Sequence, residues 1–376
     1  MSSADKIIDL DIAIIGGGSA GMALASRLDG LFATVFEPKT AAERDCNWAL
    51  WAQAPQLLEL STSVRGSWDK WRLIDHSGEV IHHSDQYRYT CLSSKQYLQE
   101  CETHLKQSVN LLRAPVENLV TKAGGTSGGQ FDAGGQSYRA QVIYDSRPPK
   151  VPKNSLCQHF IGWEIILKKP IDNADIATLM DFRVDQSRGL HFIYVLPFTD
   201  RHLLVESTMI SNQLEDKDWY RQAIIGWLNE RGLEVETQLH EEYGVIPMTK
   251  VQPQNADVIN IGAVGGAIRL SSGYAFSTIQ TQMKALATSI TAGQVELPRP
   301  FSGALMFMDK VFNRALNAAP DQGVSFFMAT AKALNADQFS RFMLGQAGPI
   351  EWIRVILAMP KQPFLKAAVK QCLSHD

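Results

Sequence analysis

Hydrophobic and polar positions divide the chain into stretches of different period. Residues 8–37 read as one βαβ unit. Ile8–Ile15 is a short apolar strand, and Gly16-Gly17-Gly18 then turns the chain. Residues 19–28 have the small and apolar spacing of a packed helix, and 32–36 form a second strand ending in Glu37. Residues 47–97, rich in Trp and Tyr, read as mixed strands and loops. Residues 123–135 carry Gly124, Gly125, Gly128, Gly129, Gly134 and Gly135, which predicts a loop or hairpin. Residues 141–144 are a short strand, stopped by Asp145-Ser146-Arg147-Pro148-Pro149. From 158 to 250 the pattern predicts antiparallel sheet, with strands 191–196 and 202–208 flanking a Thr199-Asp200-Arg201 turn. A helix is expected over 215–231, where Tyr220, Ile224, Trp227 and Leu228 share one face and Gly232 supplies a stop. Residues 257–262 are a strand entering a second glycine-rich turn, and from Phe301 onward the pattern is helical.

Composition narrows the function classes. Of 376 residues, 45% are hydrophobic and 20% charged, the balance of a foldable globular chain. A net charge of −3 gives no field for gripping a phosphate backbone, so nucleic-acid binding is disfavoured. No run of about 18 apolar residues suggests a spanning helix. Residues 1–11 lack the features of a signal peptide, which points to a cytoplasmic protein. The five cysteines are scattered without a CxxC, which fits a reducing compartment and gives no zinc site. His191, His202 and His240 have neither HxxxH nor HxH spacing, so no metal is expected. The absence of GxSxG leaves hydrolase chemistry without a nucleophile elbow.

Gly16-Gly17-Gly18-Ser19-Ala20-Gly21 matches GxGxxG, and Glu37 follows Gly16 by 21 residues, at the end of the second strand. The first glycine permits the tight turn, the second admits a pyrophosphate, and the third lets helix pack close to strand. The carboxylate is placed to accept ribose hydroxyls. Strand, turn, helix and acid in this order predict dinucleotide binding. The position of the motif near the start of the chain favours FAD over NAD. So does a second glycine-rich turn, Gly262-Ala263-Val264-Gly265-Gly266, leading to Gly273 and Tyr274. The resulting fold class is α/β. It has a Rossmann-like FAD-binding domain (1–150 and 251–300), an antiparallel-sheet substrate domain (151–250) and a C-terminal helical region (301–376).

These motifs, with Tyr144–Pro148, Met180-Asp181-Phe182-Arg183, Pro197-Phe198, Leu203–Thr208 and Gly244–Met248, resemble the flavin-dependent lycopene cyclase family. Ala263, where other FAD folds carry Asp, also looks like that family. Ser207 departs from it, since relatives often carry a second acid there. The resemblance implies a redox-neutral cyclisation of an acyclic polyene such as lycopene to β-rings. A terminal alkene is protonated, the cation closes a six-membered ring, and a proton leaves. It implies FAD active in the reduced form, with NADPH or NADH as reductant. A flavin hydroxylase or polyene reductase is the first rival reading. A non-catalytic polyene-binding flavoprotein is the second.

The residues also carry readings of their own. In the 202–208 strand, Leu204, Glu206 and Thr208 share one face, so Glu206 is an acid inside an apolar strand. Burial raises a carboxyl pKa, and a neutral acid beside an alkene is a proton donor. The alternative is an ion pair with Arg201 or Arg183. Asp181 and Arg183 either order a proton relay or the flavin, or simply pair. Asp145 and Arg147 either contact FAD or end a strand. Trp48, Trp51, Trp68 and Trp71 line a polyene tunnel or fill the core. Residues 351–370 join Trp352, Ile353, Ile356, Leu357 and Leu365 to Lys361, Lys366 and Lys370. That pattern suits a helix lying on the inner face of a membrane, or one packed on the substrate domain.

Overall fold

The structure, a computed structural model, describes residues 7–121 and 127–373. The expectations for residues 1–6, Gly124 and Gly125 lie outside them. Elements are numbered in chain order. The first sheet runs β8 (Val109–Leu112), β2 (Ala33–Phe36), β1 (Ile8–Ile15), β11 (Gln136–Asp145), β10 (Gly129–Ala133) and β9 (Val116–Thr121). The short β17 (Ile259–Asn260) also pairs with β11. The pairings β8–β2–β1–β11–β17 are parallel, whereas β11–β10–β9 is an antiparallel meander. The short helix α1 (Ser19–Ala25) connects β1 to β2, and its interior residues are all buried. It packs against α3 (Ser94–Thr103) and α5 (Phe276–Thr291) on one face of the sheet.

The second sheet runs β16 (Val235–Pro247), β12 (Cys157–Leu167), β15 (His202–Ser211), β14 (Leu190–Pro197), β13 (Ile176–Asp181), β5 (Lys70–Asp75) and β6 (Gly78–His83). It is antiparallel except where β13 joins β5 in parallel. Residues 70–83, placed by the sequence with the first domain, thus form one end of this second sheet, with β6 at its edge. A third sheet holds β3 (Asn47–Ala52), β7 (Arg88–Ser93) and β4 (Val64–Trp68), and α2 (Ala54–Glu59) follows β3.

Helix α4 (Lys217–Glu230) follows β15. Its Tyr220, Ile224, Trp227 and Leu228 form one core with Ile161, Ile193, Leu203, Val205 and Met209 of the second sheet. The opposite face is covered by α6 (Gly303–Ala318), α7 (Gly323–Ala333), α8 (Ala336–Met343), α9 (Pro349–Ala358) and α10 (Lys361–Leu373). Phe326, Phe327, Phe339, Val355 and Met359 from these helices join Leu196, Leu204, Trp51 and Tyr89 in a second core. Among the described residues, no helix is long and apolar enough to cross a membrane.

Candidate active site

The glycine turn is tightly built on three sides and open on the fourth. Gly16 has φ +90°, in the left-handed region, and its N–H donates to the Phe36 carbonyl. A β-carbon on Gly21 would stand 1.9 Å from the Gly16 carbonyl oxygen, and one on Gly17 would stand 2.8 Å from Cβ of Glu37. A β-carbon on Gly18 would meet nothing within 4 Å. The Glu37 carboxylate accepts from the N–H groups of Gly17 (2.8 Å) and Lys39 (2.9 Å) at the head of this turn. The second glycine-rich turn, Ala263–Ala267, lies against the first: a β-carbon on Gly262 would stand 2.8 Å from Cβ of Ala20. Asp145 and Arg147 pair with each other at 2.6 Å, and Ser146 between them donates to the Gly16 carbonyl at 2.8 Å. Gly265 and Gly266 belong to the second turn, and Gly273 and Tyr274 follow it toward the cavity.

A cavity of about 750 Å³ runs from Ser19 and Ala263, past Glu206, to α9 and α10. Its wall is apolar and aromatic, with Trp48, Trp51, Tyr89, Phe160, Tyr194 and Tyr274 around the middle. The four tryptophans thus divide: Trp48 and Trp51 line the cavity, while Trp68 and Trp71 are core. The Tyr89 hydroxyl lies 2.9 Å from those of both Tyr194 and Tyr274. Burial pushes all three phenols up, so they stay neutral near pH 7.

Glu206 stands in a row across the sheet. Tyr194 of β14 is in register with Glu206, Glu206 with Gly162 of β12, and Gly162 with Glu242 of β16. A β-carbon on Gly162 would lie 2.8 Å from Cγ of Glu206 and 3.2 Å from Cγ of Glu242. The missing side chain is therefore the space in which the two carboxyls meet. Burial drives Glu206 well above the ordinary carboxylate range. The charge of Glu242 and a hydrogen bond to it act in the same direction.

Asp181 and Arg183 are not brought to this cavity. A register shift in β13 after Thr178 turns Asp181 toward α4. There its carboxylate accepts from Arg183 (2.8 Å), Trp227 (3.0 Å) and Arg231 (3.0 Å). Burial alone would raise its pKa, but these partners outweigh it and hold Asp181 ionised. Ser207 also points to the α4 face, bonded to His191 at 2.9 Å. The sequence did not single out Glu242, Asn47 or the Arg269–Asp309 pair. The alternation of Glu242, Gly244 and Ile246 was a usable signal for Glu242, but its partner lies two strands away.

Comparison with known proteins places these features in a family. The model described as lycopene cyclase protein matches residues 11–369. The chain is 24% identical over 329 residues to a lycopene beta-cyclase of Pantoea ananas, covering 79% of this chain and 83% of that protein. It is 26% identical over 262 residues to a lycopene beta-cyclase of Pseudescherichia vulneris, covering 65% and 67%. A chloroplastic lycopene beta cyclase of Nicotiana tabacum is 24% identical over 310 residues, 73% of this chain and 59% of that protein. Among solved structures, a geranylgeranyl bacteriochlorophyll reductase-like protein from Thermoplasma acidophilum superposes with a TM-score of 0.63 at 11% identity, covering 97% and 99% of the two chains. A flavoprotein/dehydrogenase from Cytophaga hutchinsonii gives 0.59 at 14%, covering 98% and 100%. These last two similarities concern the fold.

The glycine turn yields a graded stability test. Gly18→Val is expected to cost no more than about 1 kcal/mol, the loss of a tolerated cap residue. Gly21→Val forces atoms onto backbone and is expected to cost about 3 kcal/mol or more. Denaturant midpoints decide it, and equal losses would mean that the open side of the turn is misplaced.

Proposed function

The chain belongs to the lycopene cyclase protein family, and from that premise we propose that it cyclises an acyclic carotenoid such as lycopene to β-rings without net redox change. One observation carries this reading. Glu206 is a buried carboxyl facing an aromatic, apolar cavity, with no cation paired to it among the described residues. Asp309, the other carboxylate on that wall, is paired with Arg269. A carboxyl held neutral above its ordinary range keeps its proton at physiological pH and can donate it to a terminal alkene. The faces of Trp51, Tyr89, Tyr194 and Tyr274 offer electron density to the cation that follows. The neutral phenols bring no competing charge. Loss of a proton from the closed ring returns the carboxyl to its starting form.

The residues present fit FAD. The open side of Gly18 leaves room for phosphate, and Glu37 closes the head of the turn. Ser272 Oγ and one nitrogen of Arg269, on cavity-lining residues beyond the second turn, are buried without a hydrogen-bond partner among the described residues. The carbonyls and nitrogens of a flavin ring are acceptors of the kind they lack. Bound in its reduced form, FAD would supply an electron-rich ring beside the cation, with NADPH or NADH as the source of its electrons. Gly16–Gly21, Glu37 and the Ala263–Ala267 turn would hold it.

The cavity wall also suggests how a hydrocarbon arrives. Phe307, Ile356 and Leu365 line the cavity and are exposed at the surface as well. Around them Ile350, Ile353, Leu357, Val369 and Leu373 are exposed on α9 and α10. Val355, Met359 and Ala367 of the same helices face the core, so each helix has two apolar sides. An outward apolar face flanked by Lys366 and Lys370 suits peripheral contact with an anionic bilayer. Lys361 is turned back, donating to the carbonyls of Ile356 and Leu357.

Three outcomes test these proposals. Lycopene incubated anaerobically with the protein and dithionite-reduced FAD should give a cyclised isomer with no NAD(P)H consumed. One NAD(P)H oxidised per product, with oxygen or two hydrogens gained, would make the enzyme a hydroxylase or reductase. Glu206→Gln should lower turnover by about 10²–10⁴-fold with flavin content unchanged; turnover within a few-fold of wild type would assign Glu206 to structure. On flotation, the chain should rise with anionic liposomes, and Ile353→Asp with Leu357→Asp should abolish that. Undiminished flotation of the double variant would move the contact elsewhere.

A further inference from the structure

Seven carboxylates are buried among the described residues: Glu37, Asp145, Asp181, Glu206, Glu242, Asp309 and Glu351. Five of them are paired with arginines: Arg44, Arg147, Arg183, Arg269 and Arg341 respectively for Glu37, Asp145, Asp181, Asp309 and Glu351. A buried charge without a partner is costly, so this is the expected pattern. Glu206 and Glu242 break it. Neither has an ion pair among the described residues, and each faces the other.

Their meeting is built by the sheet. Side chains two strands apart start about 10 Å from one another. A side chain at the middle position would normally keep them separate, and Gly162 has none. Glu206 lines the cavity, whereas Glu242 is buried behind it and does not. We propose that Glu242 is the positioning partner of Glu206: the two carboxyls share one proton, which Asn47 keeps on Glu206, so that the same side chain acts first as acid and then as base.

The placement of the proton follows from the donors. Glu242 accepts from the backbone N–H of Asn47 at 3.1 Å and from its Nδ2 at 3.3 Å. The amide of Asn47 is fixed in that orientation because its Oδ1 accepts from Arg65 at 2.8 Å. Arg65 is itself held by Glu164 at 2.6 Å, and Glu164 by His202 at 2.7 Å. Two N–H donors leave Glu242 as the acceptor of the pair, and Glu206 as the hydroxyl that donates. The other titratable groups around Glu206 are Cys91 on β7, Tyr194 on β14 and Tyr274. Cys46 lies beside Glu242. Burial pushes the two thiols and the two phenols up, so near pH 7 all four are neutral. Among the described residues Arg65 is the nearby cation, and it is occupied by Glu164.

This inference rests on the cyclisation reading for its chemistry. The Glu206 O–H bond breaks as a C–H bond forms at the terminal alkene. Two carboxylates then face the cation. After ring closure a ring C–H bond breaks, its electron pair becomes the new double bond, and the proton returns to Glu206. Substrate and product are isomers, and no oxidant or co-reactant is needed. The charge of Glu242 makes Glu206 a stronger base for the second step than a lone carboxylate would be.

The test reads the proton directly. In purified, full-length protein, the infrared band of a protonated carboxyl is followed against pH for wild type, Glu206→Gln, Glu242→Gln and Glu242→Asp. Wild type should keep a band at pH 7 that is absent in Glu206→Gln. A neutral Gln removes the like charge, so Glu242→Gln should move the midpoint of that band down by at least one pH unit. Glu242→Asp, which keeps the charge, should lie between. The alkaline limb of cyclisation should shift in step, while flavin content stays constant. A midpoint unchanged in Glu242→Gln, or no such band in wild type at pH 7, overturns the shared proton. If the infrared shift appears while no variant, nor wild type, cyclises lycopene, the pair stands and the substrate assignment falls.

Discussion

Strand β15 runs between two interiors. Leu203, Val205 and Met209 enter the core against α4, and Leu204, Glu206, Thr208 and Ile210 face the cavity. A strand covered on both faces has no side on which a charge meets bulk water. Any ionisable group on it must be paired, neutralised or used. The far face also has to be covered, and the helices from α6 to α10 do that. They cover it incompletely, and the space they leave is the cavity. Acid, aromatic wall and apolar opening are consequences of one arrangement.

Charge is distributed accordingly between the two faces. On the α4 side Asp181 is locked by two arginines and an indole. Burial there depresses His159 and His191 to about 4, so both are neutral at physiological pH. That side holds fixed charges and silent histidines. On the cavity side Asp309 is paired with Arg269, while Glu206 and, behind it, Glu242 have no counter-ion among the described residues. The contrast distinguishes a paired acid from an unpaired one more sharply than burial does, because both kinds of acid are buried.

What was legible in the sequence was mostly local. The turn at Gly16–Gly21 and Glu37 depends on contiguous residues and a fixed spacing, and the structure builds it as expected. The alternation along β15 correctly put Glu206 and Ser207 on opposite faces. Pairing between distant strands was not legible. The joining of 70–83 to the second sheet, and the row from Glu206 through Gly162 to Glu242, depend on contacts that no periodicity encodes. Asp181 illustrates a second limit. The sequence left it either in a relay or in an ion pair with Arg183, and the bulge that turns it to the α4 side, where it pairs, leaves little trace in composition. The tryptophans show a third, since an aromatic on a cavity wall and one in a core have the same pattern until the packing is known.

The contact between the two glycine-rich turns has a thermodynamic consequence. Gly262 touches Ala20, so two segments far apart in the sequence meet at one small patch. A ligand that bridges them closes a loop of more than two hundred residues, and it does so only in the folded chain. Its binding free energy is then added to folding stability, growing with the logarithm of its concentration. The abundance of folded protein in a cell would then follow the supply of such a ligand, with the two glycine turns as the clasp of the fold.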